Sequence, residues 1–335
     1  MLSALIHKVF GAASAQSAAE QQAVDRVVAA TDARLSLLPG FRKALLPGIR
    51  ISRDYAASLV RDLPDPLELS LLAFTLDRRL GLFFSSPASL LAMLMRCETL
   101  QDFFHTPSQG DEALALLLMQ RTDTQRYGLA NRDGEIRSDV AQIVVSFDHH
   151  RMMMPCPSID ALRQRATDRG LDVITRVIAR RLELLAKERS DLESELTRIR
   201  LRLTALVRPD AVLIDAMPAD DSLPQDREGL LRRQSSAQER LGEVRSVTEL
   251  SGLLELVAHM LSHPQDYFRL EQETLKLDRM GVLQAEASDD DCTQVCMEEL
   301  HLSPGEPVRR VILPVRVCRA ALAELTQFVS SENGL

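Results

Sequence analysis

The sequence predicts an α+β protein that is mainly helical, and three observations carry that reading. The first is a heptad run from Ile159 to Val207, the second is another helical arm closed by His263-Pro264, and the third is a set of β-branched or apolar runs on either side of the two arms. They imply an N-terminal helical unit (1–109), a small antiparallel β meander (110–157), a long antiparallel helical hairpin of coiled-coil type (158–263) and a C-terminal β element with a short terminal helix (264–335).

In the heptad run Leu171, Ile178, Leu185, Leu192, Ile199 and Leu206 recur every seventh residue. Leu182, Leu196 and Leu203 fall between them at the alternating three-and-four spacing of a coiled-coil seam. Ser158 stands where an N-cap hydroxyl accepts the first free amide hydrogens, Asp160 suits the positive helix end, and Arg208-Pro209 supplies a stop. The rod is then about 48 residues long, or about 70 Å at 1.5 Å per residue. An apolar stripe of that length needs a cover. The cover is expected from Ser222 to His263, where Ser222 and Gln225 can cap and Leu230, Ala237, Leu241, Val244, Leu254, Val257 and Leu261 keep helical spacing. A connection of about 14 residues permits an antiparallel return. Net positive charge on the first arm and net negative charge from Pro209 to Glu306 favour the pairing. The expected interface is Leu171, Ile178, Leu182, Leu185, Arg189, Leu192, Leu196, Ile199 and Leu203. Arg189 interrupts the apolar row, with its stem packed and its guanidinium in water, or else buried to fix register. Gly170 is a weak point that could divide the rod. Ile174 and Val177 widen the seam, which makes a homodimer a candidate assembly.

At 335 residues the chain exceeds one compact core, and 45% hydrophobic with 26% charged residues is the composition of a folded protein. A net charge of −8 argues against general nucleic-acid binding, and with 4% aromatic residues and no Trp, stacking platforms are scarce. Five cysteines without a disulfide-like spacing point to a reducing, cytoplasmic setting. No apolar run reaches the length of a membrane span. Ala13-Ser14-Ala15 looks like a cleavage site, but His7-Lys8 interrupts the preceding apolar stretch, and a short amphipathic helix of Leu2, Leu5, Ile6, Val9 and Phe10 fits better.

Along the chain, Ala18 to Leu38 has helical spacing ended by Pro39-Gly40, and Ser52 is read as opening a helix to Val60. Asp65-Pro66 is read as a helix start, with Leu67 to Phe84 as a core helix, and Ser86-Pro87 as another start. From Gly110 to Met154 the period changes; Ala113 to Met119, Tyr127 to Ala130 and Ile143 to Val145 are expected to form a three-stranded meander with a turn at Asn131 to Gly134, although the first run reads equally well as helix. Leu275 to Leu283, Gln294 to Leu302 and Val308 to Val317 are further strand material, separated by Ala287 to Asp291 and Ser303 to Pro307. Pro314 places the last of them at an edge or a bulge. A helix near Ala320 to Phe328 closes the chain.

The best polar constellation is Asp148-His149-His150, directly after the strand-like Gln142 to Phe147. A carboxylate and two imidazoles at a strand end can ligate a divalent metal and activate water. The triplet resembles the motif after which the DHH phosphoesterases are named, a family of manganese-dependent hydrolases that carry it at the end of a strand. The resemblance spans about ten residues and implies a metal-dependent phosphodiesterase. The family's upstream aspartates and glycine-histidine motif have no counterpart, since Asp62 and Asp65 lie among prolines and His301 lacks a glycine cluster. His259 and His263, four apart on a helix, could join Cys292 and Cys296 in a zinc site; the competing reading places the histidines at a helix C-terminus and the cysteines on a strand. Asp289-Asp290-Asp291 lacks the spacing of a calcium loop and reads as a solvated turn. Arg151-Met-Met-Met154 reads as core filling at a strand end, with a soft partner surface as the alternative. No phosphate-cradling loop and no nucleophile elbow is present, and no cofactor is expected. The expectation is a cytoplasmic interaction or scaffold protein with a protein partner; the alternative is a hydrolase using Asp148, His149 and His150.

Overall fold

The computed structural model describes residues 18–106, 110–132, 135–207, 223–284, 292–303 and 309–332. The expected helix at Leu2 to Phe10, the stop at Arg208-Pro209, the cap at Ser222 and the turn at Asp289 to Asp291 lie outside these residues. The protein is α+β, with a long helix and a curled, largely antiparallel sheet. It divides into two compact units, Met1–Ser52 with Asp172–Pro264, and Arg53–Leu171 with Gln265–Leu335.

The first unit is helical. Residues 18–31 form α1, a 3-10 turn follows at Ala33–Leu37 capped by Asp32, and α2 runs Phe41–Arg61. Ser52 therefore does not open a helix. It sits inside α2, continuous through Pro47, and its buried hydroxyl donates to the Leu261 carbonyl at 2.6 Å. The long helix α7 covers Ile159–Val207, starting at the hydroxyl of Ser158, which accepts from the Ala161 amide. The second arm is two helices, α8 (Arg227–Thr248) and α9 (Leu250–Ser262), because Glu249 turns to an extended ψ of 152° between them. Asp226 caps α8 by accepting from the Gly229 amide. Val24, Val27, Leu45, Ile174, Ile178, Val257 and Leu261 are among the residues buried in this unit.

Gly170 does not break α7. A Cβ there would lie 2.7 Å from the Ala56 Cβ, so the glycine lets α2 and α7 approach closely within the second unit, and that packing outweighs its low helix propensity.

The second unit is built on a six-stranded sheet. Its strands are β1 (Leu67–Glu68), β2 (Glu112–Arg132), β3 (Glu135–Cys156), β4 (Phe268–Leu277), β5 (Thr293–Leu302) and β6 (Arg310–Cys318), in the order β3-β2-β6-β5-β4, with β1 parallel to β6. The two β regions that look separate in the sequence thus share one sheet, because β2 pairs with β6 from Glu112↔Cys318 to Gln120↔Arg310. The expected three-stranded meander is instead one long two-stranded hairpin. Its polar stretch, Gln120 to Arg126, continues as strand opposite Gln142 to Asp148 and does not turn. Leu67 to Phe84 is not one helix either. Its start pairs with Val315 as β1, and Ser70 and Asp77 then cap α3 (Leu71–Leu76) and α4 (Arg78–Phe83). Pro314 sits where its strand is locally unpaired on one side, after the last β5 partner at Ile312 and before β1 joins at Val315. As read from the sequence, Ser86 caps α5 (Pro87–Arg96), here in a reciprocal box with Ser89; α6 (Glu98–His105) follows, and α10 (Arg319–Glu332) ends the unit.

Period-2 alternation sorts the sheet into two faces. One face, with Leu117, Met119, Phe147, Leu275, Met297, Leu313 and Val315, packs with Leu80, Phe83, Leu90, Phe103 and Leu325 of the short helices. The other face, with Leu114, Leu116 and Ile312, is covered by Leu162 and Ala166 of α7 and by Val60 and Leu63. The sheet closes on itself after β4. The Val145 amide donates to the Gly281 carbonyl and the Leu283 amide to the Ile143 carbonyl, both at 2.8 Å. Gly281 has φ +76°, and a Cβ there would lie 2.6 Å from the Val145 oxygen, so both the turn and the contact need glycine.

Candidate functional site

Four of the expected interface residues, Leu192, Leu196, Ile199 and Leu203, pack against the second arm. Leu196 packs with Ala237 and Leu241, and Ile199 with Leu223 and Leu230, so α8 runs antiparallel to the end of α7. Ion pairs follow the same register, joining Glu195 to Arg233, Glu188 to Arg240 and Glu193 to Arg245. Leu171, Ile178, Leu182, Leu185, Leu196 and Ile199 are buried; Leu192 and Leu203 are half-buried against the same clusters. Arg189 keeps its head at the surface, 3.2 Å from Glu193, as expected for a side chain whose stem packs and whose charge stays wet. Arg245 and Arg189 together hold the Glu193 carboxyl below its ordinary range. Glu193, Thr197 and Arg200 of α7 and Gln238 and Arg245 of α8 border an open, polar cleft of about 420 Å³. Leu201 and Leu231 stay exposed, at 47% and 45%.

Asp148, His149 and His150 fall in a bulge of β3, between the pairs Leu118↔Arg151 and Gln120↔Asp148. The irregularity turns His149 to φ +53° and leaves it and Asp148 exposed. His150 stacks on Phe84 with ring centroids 4.6 Å apart, and its Nε2 is buried without a hydrogen-bond partner. Burial pushes its imidazole below the ordinary value, against the opposing pull of the Phe83 backbone and of Asp148. The triplet is therefore split between solvent and core. His259 and His263 stack on each other at 4.4 Å in the first unit, whereas Cys292 and Cys296 belong to the second. Among the described residues no three His, Cys, Asp or Glu side chains form a group able to hold a metal ion.

The arrangement that the sequence reading missed lies at one end of the sheet. On β2 the core-facing positions Leu117 and Met119 are followed two residues on by Arg121 and then Asp123. On β4, Glu273 follows the same alternation from Leu277 and Leu275; on β5, Glu299 follows Val295 and Met297; ahead of β6, Arg309 precedes Val311. Five charged side chains thus replace the apolar ones at this end. Arg121, its side chain 3% exposed, meets Asp123 at 2.8 Å and Glu299 at 3.3 Å and also bonds Glu273. Arg309 bonds Asp123 at 2.9 Å and stands 3.5 Å from Glu299 Oε1, an oxygen that is buried and accepts no hydrogen bond. Burial works to lower the Arg121 pKa, but the bonds to Asp123 and Glu273 leave it raised. Burial and the facing Glu273 carboxyl push Glu299 up to about 7, although Arg121 and Arg309 pull the other way. Its partner Glu273 is held below the usual range: burial opposes this, but the bonds from Glu299 and Arg121 prevail. The signal in the sequence was an apolar alternation running on into charges, visible only once the strand bounds and pairing are known.

Among the described residues no helix is long and apolar enough to cross a membrane. Comparison with models of known protein families, with curated protein sequences and with solved structures finds no match, so the functional reading rests on the geometry alone.

Proposed function

We propose that the chain is a non-enzymatic, cytoplasmic interaction or scaffold protein that works through the paired helices α7 and α8, a short coiled coil. The observation that carries this reading is the seam itself. It is packed at Leu196 and Ile199 and flanked by cross-helix ion pairs, while Leu201 and Leu231 remain open to another chain. A second copy is the first partner to test, since symmetric dimers lead among assemblies. Light scattering on the full chain at micromolar concentration is expected to give twice the 37.3 kDa of one chain, and Leu201→Glu with Leu231→Glu is expected to return it to the monomer. A monomeric wild type would remove the dimer. Manganese-dependent phosphodiester cleavage that disappears when Asp148, His149 and His150 become alanine would overturn the scaffold reading in favour of a hydrolase.

A further inference from the structure

Among the described residues the β4–β5 hairpin is held to the rest of the sheet by two short ladders. On one side β5 pairs with β6, among the described residues, over three positions, Glu298↔Ile312, Glu299↔Val311 and Leu300↔Arg310. On the other side Gly281 and Leu283 bond to Val145 and Ile143. The buried charges lie directly on the first ladder: Arg121 of β2 reaches past the end of β6 to Glu299 of β5 and Glu273 of β4, and the Arg121 amide donates to the Arg309 carbonyl at 2.9 Å. We propose that this cluster is a proton-operated latch, which holds the β4–β5 hairpin closed while Glu273 and Glu299 share one proton and loosens it when that proton leaves.

The charge balance supports the latch. Arg121 and Arg309 face Asp123, Glu273 and Glu299, so the cluster is neutral with one proton on the glutamate pair and carries a net negative charge, centred on the buried Glu299, without it. Other groups bear on the pair. Glu271 stands opposite Glu299 in the ladder, with Arg269 3.6 Å and His301 3.4 Å from its own carboxylate. Arg310, opposite Leu300, and Glu298, with Asp62 acting on it, belong to the alternate positions of their strands. Glu273 and Glu299 meet the same nitrogen of Arg121, and with Glu299 buried the two do not both ionise cheaply; burial together with Glu273 raises the Glu299 carboxyl to about 7. A carboxyl that keeps its proton to a higher pH when folded than when unfolded gives the folded state the extra proton. Stability then falls as pH rises from the ordinary carboxylate range through about 7.

The test is amide hydrogen exchange on the full chain at pH 6 and pH 8, corrected for the intrinsic pH dependence of exchange. In the wild type, protection of residues 293–302 and 310–312 is expected to drop by up to about tenfold at pH 8, while α7 is unchanged. Glu299→Gln, which is neutral at both values, is expected to keep its protection, and His301→Gln is expected to behave as wild type. Protection that ignores pH in the wild type, or a pH effect that survives in Glu299→Gln or vanishes in His301→Gln, overturns the latch. If Glu299→Gln does not fold, a carboxyl-carbon NMR titration of the wild type decides: a Glu299 midpoint near 7 supports the latch, and one in the ordinary carboxylate range refutes it.

Discussion

The helical pair and the sheet end use the same two side chains, arginine and glutamate, in opposite surroundings. Between α7 and α8 the guanidinium of each pair is half in water: Arg233, Arg240 and Arg245 are 51–57% exposed. At the sheet end Arg121 and Glu299 are 3% and 4% exposed. Solvent screens the first set, so each pair contributes little and the apolar seam beneath holds the helices together. In the second set Arg121 and Glu299 have given up their water while Asp123, Glu273 and Arg309 stay partly exposed around them, so the buried pair depends on its neighbours. The difference predicts a steep gradient in the cost of removing one arginine, and the variants below follow that gradient downward.

Arg121→Met is expected to be the most damaging. It leaves Asp123, Glu273 and Glu299 facing one another with Arg309 alone, and breaking a buried ionic group in this way typically costs about 3–5 kcal/mol. Urea unfolding of wild type and variant measures it. A loss below about 1 kcal/mol would mean that the cluster is hydrated and that the contrast with the helical pair is false.

Leu196→Ala comes next, since Leu196 is buried against Ala237 and Leu241 and truncation of a packed leucine costs about 2–5 kcal/mol. Leu192, only half-buried in the same cluster, should cost less as alanine, but Leu192→Asp places a charge on the seam and should separate α8 from α7. Circular dichroism melts of the three variants rank them; an unchanged Leu196→Ala melt would show that the seam is not what joins the helices.

How legible each region was in the sequence follows from the range of its contacts. The seam is written locally: Leu185, Leu192 and Ile199 recur every seven residues, and any helix through them must present one stripe. The Ser86-Pro87 start is local too, its cap made by Ser89. The sheet is not local. Leu67 reads as helix until Val315 is known to lie beside it, and the polar run from Gln120 reads as a break between two strands until Asp148 is known to face it. The same blindness hid the charge cluster, because Arg121, Glu273 and Glu299 come together only through strand order. Gly170 failed in the other direction: propensity counted against it, and a neighbour that the sequence does not reveal, Ala56, decided.

His150 offers a pH test of opposite sign to Glu299. Burial against Phe84 lowers its pKa, so the unfolded chain takes up this proton first as pH falls, and the folded state loses stability below the ordinary histidine value of 6.5. His150→Phe keeps a ring on Phe84 and should remove that acid-side loss while leaving stability near neutral pH about unchanged. Melting temperatures of both proteins from pH 5 to 7.5 check it. An acid slope that persists in His150→Phe would assign the effect to another group. Should the triplet be a metal site instead, wild type would bind manganese or zinc at one equivalent and the variant would not.

The smallest effect is expected from the pair Glu195 and Arg233, whose exposures of 14% and 57% leave the arginine wet. It spans α7 and α8, so it reports on the register of the helices directly, which makes a small number informative. A double-mutant cycle with Glu195→Ala and Arg233→Ala should return a favourable coupling of about 0.2–1 kcal/mol, diminished by added salt because the charges are screened. A coupling above about 2 kcal/mol would place this pair with the buried charges and end the distinction between the two regions. A coupling of zero at low salt, with Leu196→Ala still destabilising, would show that apolar packing alone sets the register. The ion pairs would then be bystanders on a seam that leucine and isoleucine already align.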